Sequence, residues 1–276
     1  MIKTITRKIG LRALKLFGRD ISITHHWVPG QKILLHSFKH KGYWWHGKNR
    51  EIDTMKACAK LIGSGDMVIE VGSHIGYLTT YFAHLAGPQG RVLAFEPSDE
   101  NARYLSANIK NLPNTAIDRR GIADFEGEAT FFVETLTGQN NSLLKDYTVF
   151  DSNAKNAGVA ATRQEVSIQV TTLDKACDAL GLSPNFIKID IEGSELEAVR
   201  GMMATLQKSR PIILIEITMH VNECVALFKS AGYRGYDERL TPATEAGGSY
   251  APEFIKGTTN FFFIPDELAN RAASRN

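Results

Sequence analysis

The sequence predicts an α/β fold: a doubly wound, Rossmann-like, mostly parallel seven-stranded sheet with a C-terminal antiparallel hairpin and small β additions. Three observations support this prediction. From residue 51 onward, short apolar runs alternate with segments of helical periodicity, the order that parallel strands and crossover helices require. A turn containing two glycines follows the first main strand, over 67–71. The chain has 276 residues, 43% of them hydrophobic, which suffices for one large core.

The expected elements follow one another along the chain. Strands are expected over residues 21–23 and 32–35, then a helix over 51–61, a strand over 67–71, a helix over 77–85, a strand over 91–95 and a helix over 101–111. A third main strand is expected over 116–123, with antiparallel additions over 129–133 and 166–173 on either side of a polar loop. The main series resumes with a strand over 186–191, a helix over 194–207, a strand over 211–217, a helix over 222–231 and a hairpin of 233–237 with 259–264.

Composition limits the classes of function. The formal net charge is +2, from 32 basic and 30 acidic residues, so the whole chain has no general attraction to nucleic acid. Cys58, Cys177 and Cys224 lie far apart, which argues against a disulfide framework or a zinc site and predicts a cytoplasmic protein. No apolar run approaches the roughly 20 residues of a transmembrane segment.

Residues 1–50 are expected to form an N-terminal helix and β extension that contacts substrate or a partner. Six Lys or Arg residues precede the first acidic residue, Asp20, and apolar residues between them share the spacing of one helix face. Two interpretations stay open: a short helix packed on the domain with a solvated basic face, or a peripheral contact with an anionic membrane or partner.

The turn after strand 67–71 predicts a nucleotide site. Gly72 and Gly76 allow a sharp turn and a close approach of ligand to the backbone, and the helix that follows offers free N–H groups. The dinucleotide fingerprint G-x-G-x-x-G is not matched, because the middle glycine is missing. Glu70 would repel a pyrophosphate but suits a cationic ligand such as S-adenosylmethionine.

Two further strand ends extend this site. Glu96 and Pro97 end the second main strand, where a carboxylate can accept both ribose hydroxyl protons. Ala123 and Asp124 end the third, where they could meet the adenine edge, although an acidic residue before Gly127 is also ordinary turn chemistry.

The chain resembles the FkbM-type methyltransferases, class I enzymes that depend on S-adenosylmethionine. The resemblance covers about residues 51–265, and residues 51–270 are accordingly expected to form a class I methyltransferase domain. The matching segments are VIEVGSHIGYLT at 68–79, VLAFEPS at 92–98, GIADFEG at 121–127, TLD at 172–174, FIKIDIEGSE at 186–195, RG at 200–201 and PIILIE at 211–216. The first segment is common to many methyltransferases, whereas the block at 188–193 is much more particular to this family.

This sequence departs from the family pattern at one turn. Ser73 and His74 stand where the family usually has Ala-Asn. A contact of His74 with the methionine part of the cofactor therefore does not follow directly from the resemblance. The resemblance implies O-methylation of a hydroxyl on a sugar, glycan or other small molecule.

Three carboxylates are candidates for catalysis. Asp190 and Glu192 end the fourth main strand and Glu216 ends the fifth, beside the expected methyl group. They could position or deprotonate the acceptor. Alternatively, Asp190 binds the amino group of the cofactor and Glu192 caps the next helix. The three together could also hold a divalent metal, but a metal-free site is favoured.

Three other classes of function compete with a small-molecule or glycan O-methyltransferase. A nucleic-acid methyltransferase of this fold would often carry Asn/Asp-Pro-Pro-aromatic after the fourth strand, where this chain has Asp190-Ile-Glu-Gly. A non-catalytic module that binds S-adenosylmethionine is disfavoured by the intact glycines and carboxylates. An NAD-dependent enzyme is the most distant alternative.

Overall fold

A computed structural model of the protein describes residues 14–134, 137–145, 162–246, 249–257 and 260–269. The first part of the chain forms β1 (Asp20–Thr24), β2 (Lys32–His36), α1 (Lys41–His46) and α2 (Ile52–Leu61). The next part forms β3 (Met67–Val71), α3 (Tyr77–Ala86), β4 (Arg91–Phe95), α4 (Asp99–Ile109), β5 (Thr115–Asp118), β6 (Gly121–Ile122) and β7 (Gly127–Glu134).

After the second gap the chain forms β8 (Arg163–Thr171), α5 (Leu173–Leu180), β9 (Phe186–Ile189), α6 (Glu195–Arg200), α7 (Met203–Lys208), β10 (Ile212–Glu216), α8 (Val221–Ser230) and β11 (Tyr233–Tyr236). It ends with β12 (Glu245–Ala246), β13 (Ser249–Tyr250), α9 (Pro252–Gly257) and β14 (Asn260–Pro265). The expected amphipathic helix at the N-terminus falls mostly on residues 1–13, which lie outside the described residues, as does much of the predicted polar loop over 135–163.

Seven strands form the central sheet in the order β11-β14-β10-β9-β3-β4-β5. Strands β10, β9, β3, β4 and β5 are mutually parallel, whereas β14 runs antiparallel to both β10 and β11. The predicted doubly wound sheet and its C-terminal antiparallel hairpin are therefore confirmed. The central strands are almost continuously apolar because helices cover both faces of a parallel sheet.

Alternate residues of these strands feed two separate cores. Ile69, Val71, Leu93 and their neighbours pack on one face, with α6 and α8. Val68 and Val92 pack on the other face with α3, and buried side chains of β2 join them there. The N-terminal hairpin β1–β2 therefore shares a hydrophobic core with the sheet, which fixes its position beside the carboxyl ends of the strands.

The prediction of a single strand over 116–123 is wrong, because the segment forms two strands, β5 and β6. The chain leaves the sheet after Asp118, and β6 instead pairs in parallel with β8 in a three-stranded sheet with β7. The bend is held by local ion pairing, since the Asp118 carboxylate accepts hydrogen bonds from the Arg120 backbone N–H and its guanidinium. Arg119 Nε donates to the Glu96 backbone carbonyl and ties the bend to the end of β4.

The helix expected over 194–207 is interrupted. It forms as α6 and α7, because Asp174 replaces helix hydrogen bonds at this point: its N–H donates to the Gly201 carbonyl at 2.9 Å. The Asp174 carboxylate accepts the backbone N–H groups of Ala204 and Thr205 and caps the second helix. Strand β8 also ends earlier than expected, because Thr172 caps the unpredicted helix α5.

Among the residues described, no helix is both long enough and apolar enough to cross a membrane.

Candidate active site

A cavity of about 300 Å³ opens at the carboxyl ends of β3, β4, β9 and β10. This edge of a doubly wound sheet is where ligands of such folds bind. Nine of the residues predicted for the site line the cavity, namely Glu70, Gly72, Ser73, His74, Glu96, Pro97, Asp190, Glu192 and Glu216.

The turn after β3 brings backbone against backbone. Gly72 has a φ of +78°, and a Cβ on it would lie 1.9 Å from the Asp190 carbonyl oxygen, so only glycine fits. The N–H groups of Gly72 and Ser73 both donate to the Phe95 carbonyl, at 3.1 Å. The turn is thereby held between the ends of β4 and β9, and its exposed edge faces the cavity.

Glu70 lies beneath this turn and is almost completely buried. Thr79 Oγ1 donates to its carboxylate at 2.5 Å. Burial raises the pKa of Glu70 to about 7, against the opposing effect of Lys188 and the Thr79 hydrogen bond. A cationic ligand in the cavity would therefore favour the ionised form of this carboxyl group.

Lys188 connects the turn with the end of β9. Its Nζ donates to the Gly72 carbonyl at 3.0 Å and forms an ion pair with Asp190 Oδ2 at 3.2 Å. Although burial opposes the charge, the carboxylates of Asp190 and Glu70 raise the pKa of Lys188. The ammonium group thus offsets the charge of the buried Glu70 and of the partly exposed Asp190, and it holds Asp190 at the cavity wall.

Glu96 has a hydrogen-bonded carboxylate at the end of β4. Oε2 accepts the His74 backbone N–H at 2.7 Å, while Oε1 accepts the Ser98 N–H at 3.0 Å and Asn101 Nδ2 at 3.3 Å. Burial raises its pKa to about 7 despite these donors. The contacts fix the orientation of a carboxylate that lines the cavity, which is the requirement for bidentate recognition of a diol.

The three catalytic candidates share this cavity, although their surroundings differ. Asp190 keeps 34% of its side chain exposed, and Glu192 lies in a left-handed turn with φ +56°. Burial, followed by the charges of Asp190 and Glu51, raises the pKa of Glu216 to about 8. The raised pKa gives Glu216 an affinity for a proton that suits a base acting near neutral pH.

The N-terminal segment forms a wall of the cavity, although none of its individual residues was predicted for the site. Tyr43, Arg50 and Glu51 all line it. The Tyr43 hydroxyl lies 3.1 Å from His74 Nδ1, and the Arg50 guanidinium stacks 4.5 Å from the Tyr43 ring centroid. Burial lowers the pKa of His74 to about 3, so its ring is neutral and Nδ1 can accept a hydrogen bond from the Tyr43 hydroxyl. No spacing in residues 1–50 indicated these contacts.

Residues 137–145 form another wall, which borders Glu96 and Glu192. Asn101 Nδ2 donates to the Gly138 carbonyl at 3.0 Å, and Ser142 Oγ donates to the Glu192 carbonyl at 2.7 Å. Asn141 also lines the cavity, and its buried Nδ2 has no hydrogen-bond partner among the described residues. A buried amide donor without a protein partner beside a cavity is available to an oxygen of a ligand.

Three predicted positions are not among the described residues that line the cavity. Gly76 has a φ of +81° and packs against Leu105 at the start of α3, so its part in the turn is steric. Ala123 is buried against Gly201, and Asp124 is exposed. Because the third strand ends early, its contribution comes instead from Arg120, Gly121 and Ile122.

Within the described part of the chain, no three His, Cys, Asp or Glu side chains are arranged as a metal-binding group. Two basic side chains lie among the carboxylates of the cavity: Lys188 pairs with Asp190, and Arg50 pairs with Glu51.

Comparison with known proteins identifies the family. The family described as the Methyltransferase FkbM domain matches residues 70–234, more than half of the chain. A hexuronic acid methyltransferase, AglP, of Haloferax volcanii is 25% identical over 60% of this chain and 62% of its own length. Methyltransferase 1 of Beauveria bassiana is 26% identical over 49% of this chain and 57% of its own length. The similarity therefore spans less than two thirds of either relative.

Solved structures show weaker similarity. A methyltransferase FkbM from Methylobacillus flagellatus KT aligns with 72% of this chain and 43% of its own, with a TM-score of 0.45 and 16% identity. An O-methyltransferase from Thermotoga maritima aligns with 78% of this chain and 64% of its own, with a TM-score of 0.42 and 14% identity.

Proposed function

Because this chain belongs to the FkbM methyltransferase family, we propose that it transfers a methyl group from S-adenosylmethionine to a hydroxyl group of a sugar or glycan. The observation that carries the proposal is the meeting of two features at one cavity: the glycine turn at Gly72 and the oriented carboxylate of Glu96. When bound, S-adenosylmethionine would supply a methyl group on a sulfonium, which leaves as a neutral thioether. The protein need only bind the cofactor, orient the acceptor and take the proton of the acceptor hydroxyl.

We define the cofactor side of the cavity as Glu70, Gly72, Glu96 and Asn141. Glu96 would accept the ribose hydroxyls, because its carboxylate is fixed by three N–H donors. The Asn141 amide, which has no hydrogen-bond partner among the described residues, would donate to a cofactor oxygen. Glu70, beneath the turn at Gly72, would offset the positive charge of the cofactor. The excess of carboxylates over basic groups at this side suits a cofactor that carries a sulfonium and an ammonium group.

We define the acceptor side as Tyr43, Arg50, Glu51 and Glu216. Glu216 would take the proton of the acceptor hydroxyl, since burial and neighbouring acids give it a pKa of about 8. The Arg50 guanidinium, which lies over the buried Tyr43 ring, would donate hydrogen bonds to hydroxyl groups of the acceptor. Support for a sugar as acceptor also comes from AglP, which is described as a hexuronic acid methyltransferase.

The proposal is tested by calorimetry and turnover. S-adenosylmethionine should bind the full chain and NAD should not. A panel of neutral, amino and uronic sugars and their glycans, incubated with methyl-labelled cofactor, should yield labelled product resistant to base hydrolysis, as an ether is. Absence of cofactor binding, or label in an ester or in RNA, would contradict the proposal.

The role of Glu216 has its own test. Glu216→Gln should keep cofactor binding but lower kcat by roughly a hundredfold, the usual contribution of a general base. In the unaltered protein, kcat should rise with pH until about 8 and then level off, because only the ionised carboxyl can accept a proton. Glu223→Gln is the matched control, since Glu223 is an exposed glutamate on α8. A Glu216→Gln enzyme with unchanged kcat would remove this residue from the mechanism.

A further inference from the structure

The charge of the chain is distributed very unevenly. Residues 1–50 contain 11 Lys or Arg residues and a single acidic residue, Asp20. The other 226 residues contain 21 basic and 29 acidic ones. The near-neutral total therefore conceals a strongly basic N-terminal segment attached to an acidic body. Such asymmetry is typical of proteins that bind a polyanion or an anionic surface.

The same segment exposes large apolar side chains. Leu16 and Phe17 are each 80% exposed and Trp45 is 67% exposed, the three highest values for large apolar side chains among the described residues. Lys15 and Arg19, on either side of Leu16 and Phe17, are exposed too. Apolar and basic side chains at one surface match the two layers of a bilayer interface, the acyl boundary and the anionic headgroups.

Two of these exposed residues, Arg19 and Trp45, are linked through Ser37. The Arg19 N–H donates to Ser37 Oγ at 3.1 Å, and the Ser37 N–H donates to the Arg19 carbonyl at 2.9 Å. On the other side, Trp44 Nε1 donates to the Ser37 carbonyl at 2.8 Å, and the Trp45 ring lies 5.7 Å from that of Trp44. We call Lys15, Leu16, Phe17, Arg19 and Trp45 the N-terminal surface.

We propose that the N-terminal surface docks on an anionic lipid bilayer. A polynucleotide would account for the basic residues but not for the exposure of Leu16 and Phe17, whereas the bilayer interface accepts both kinds of side chain. Trp45 is of the residue type enriched at membrane interfaces. Docking does not depend on the methyl-transfer reaction, so it can be tested independently of the proposed function.

Helix α1 connects this surface with the cavity. It carries Trp45 on the surface and, two residues earlier, the buried Tyr43 that bonds to His74 in the cavity wall. If methyl transfer is the activity, docking would place the acceptor side of the cavity next to the lipid headgroups, because α1 is only six residues long and carries both Tyr43 and Trp45. A glycan attached to a membrane lipid would then be an acceptor within reach.

Sedimentation with vesicles tests the docking. The full chain should sediment with phosphatidylcholine vesicles containing about 30% phosphatidylglycerol but not with pure phosphatidylcholine vesicles, and binding should fall between about 0.05 and 0.5 M salt. Joint substitution Lys15→Glu and Arg19→Glu should lower the partition coefficient by roughly tenfold or more. Joint substitution Phe17→Ser and Trp45→Ser should lower it as well, even at low salt.

Matched controls are available elsewhere on the chain. Leu180→Ser replaces a side chain that is 53% exposed on α5, and Lys56→Glu reverses an exposed charge on α2. Neither should change the partition coefficient by more than about twofold. Equal thermal unfolding of all variants shows that the fold is kept. The proposal is overturned by no binding to anionic vesicles, by equal losses in the controls, or by binding to RNA that needs the basic residues but not Phe17 and Trp45.

Discussion

The two sides of the cavity are built in different ways. On the cofactor side, Gly72 and Glu96 each follow directly on a parallel strand of the sheet, so strand order alone brings them together. On the acceptor side, only Glu216 ends a strand of the sheet, whereas Tyr43 and Arg50 come from a segment that packs against the sheet. The comparison suggests that cofactor binding depends on the sheet, whereas acceptor choice depends on an attached segment that can vary without disturbing it.

The largest effect is expected at the turn on the cofactor side. Gly72→Ala places a Cβ 1.9 Å from the Asp190 carbonyl oxygen at a φ of +78°, so β3 and β9 must separate. We expect loss of measurable S-adenosylmethionine binding and a lower melting temperature. Gly30→Ala is the control for left-handed conformation alone, because its φ is +75° and nothing lies within 4 Å of the new Cβ. That change should cost only about 1–2 kcal/mol.

Equal behaviour of the Gly72→Ala and Gly30→Ala proteins in thermal unfolding and calorimetry would show that the close contact with Asp190 is unimportant.

A change on the acceptor side should leave the cofactor side intact. Arg50→Met keeps an unbranched side chain but removes the guanidinium that lies over the Tyr43 ring and pairs with Glu51 at 3.1 Å. We expect KM for the best acceptor of the sugar panel to rise roughly tenfold, with the Kd for S-adenosylmethionine changed by less than about twofold. Arg234→Met, at an arginine that is 59% exposed, is the control. A rise in the Kd for the cofactor, with an unchanged KM for the acceptor, would contradict the assignment of Arg50 to the acceptor side.

A smaller effect is expected from pH. Glu70 has its pKa raised to about 7, so this carboxyl group is partly protonated near neutral pH, and a cationic cofactor should displace the proton. Affinity should therefore rise severalfold between about pH 6 and pH 8, with proton release seen by calorimetry in buffers of different ionisation enthalpy. Heats that do not depend on the buffer would contradict this linkage.

The same shifts predict how stability depends on pH. Glu70 and Glu96 each have a folded pKa of about 7, above the ordinary value of 4.5, so the folded protein binds more protons than the unfolded chain between these values. The free energy of unfolding contributed by these groups should consequently be greatest below about pH 4.5 and fall as pH rises through 7. Denaturant titrations at pH 5.5 and 8 check the sign, on the order of a kcal/mol per group.

The smallest effect is expected at Asp124. This residue is exposed and is not among the described residues lining the cavity, so Asp124→Asn should change the Kd for S-adenosylmethionine by less than about twofold. Calorimetry checks this directly. A tenfold loss would mean that the end of the third strand moves toward the cofactor on binding and would restore the sequence-based assignment.

Sequence patterns were informative where structure is local. The strands at 67–71 and 91–95 were predicted with their observed bounds, because apolar runs that end in Gly or Pro mark buried parallel strands. The residues at their carboxyl ends then meet at the cavity as a consequence of topology. Prediction failed where a distant contact decides the outcome, as where Asp174 bonds to the Gly201 carbonyl and the Thr205 N–H and interrupts a helix.

The acceptor side shows the same limit. Its N-terminal segment is held by contacts such as His25 Nε2 with the Tyr77 carbonyl at 3.0 Å and Asn108 Oδ1 with the Leu34 N–H at 2.6 Å, between residues more than fifty positions apart. No local periodicity encodes such pairs. The presence of Tyr43 in the cavity therefore follows from tertiary packing and could not be derived from the motif-based argument that located Glu96.

Calorimetric titration of Glu96→Gln with S-adenosylmethionine is the most direct test of the cofactor side. The amide cannot accept all three donors that fix the Glu96 carboxylate, and it loses the charge that would hold the ribose hydroxyls, so affinity should fall roughly tenfold to a hundredfold. Asp99→Asn, three residues away at a fully exposed carboxylate, should bind as the unaltered protein does. Equal affinities of the two variants would contradict the assignment of Glu96 to the cofactor.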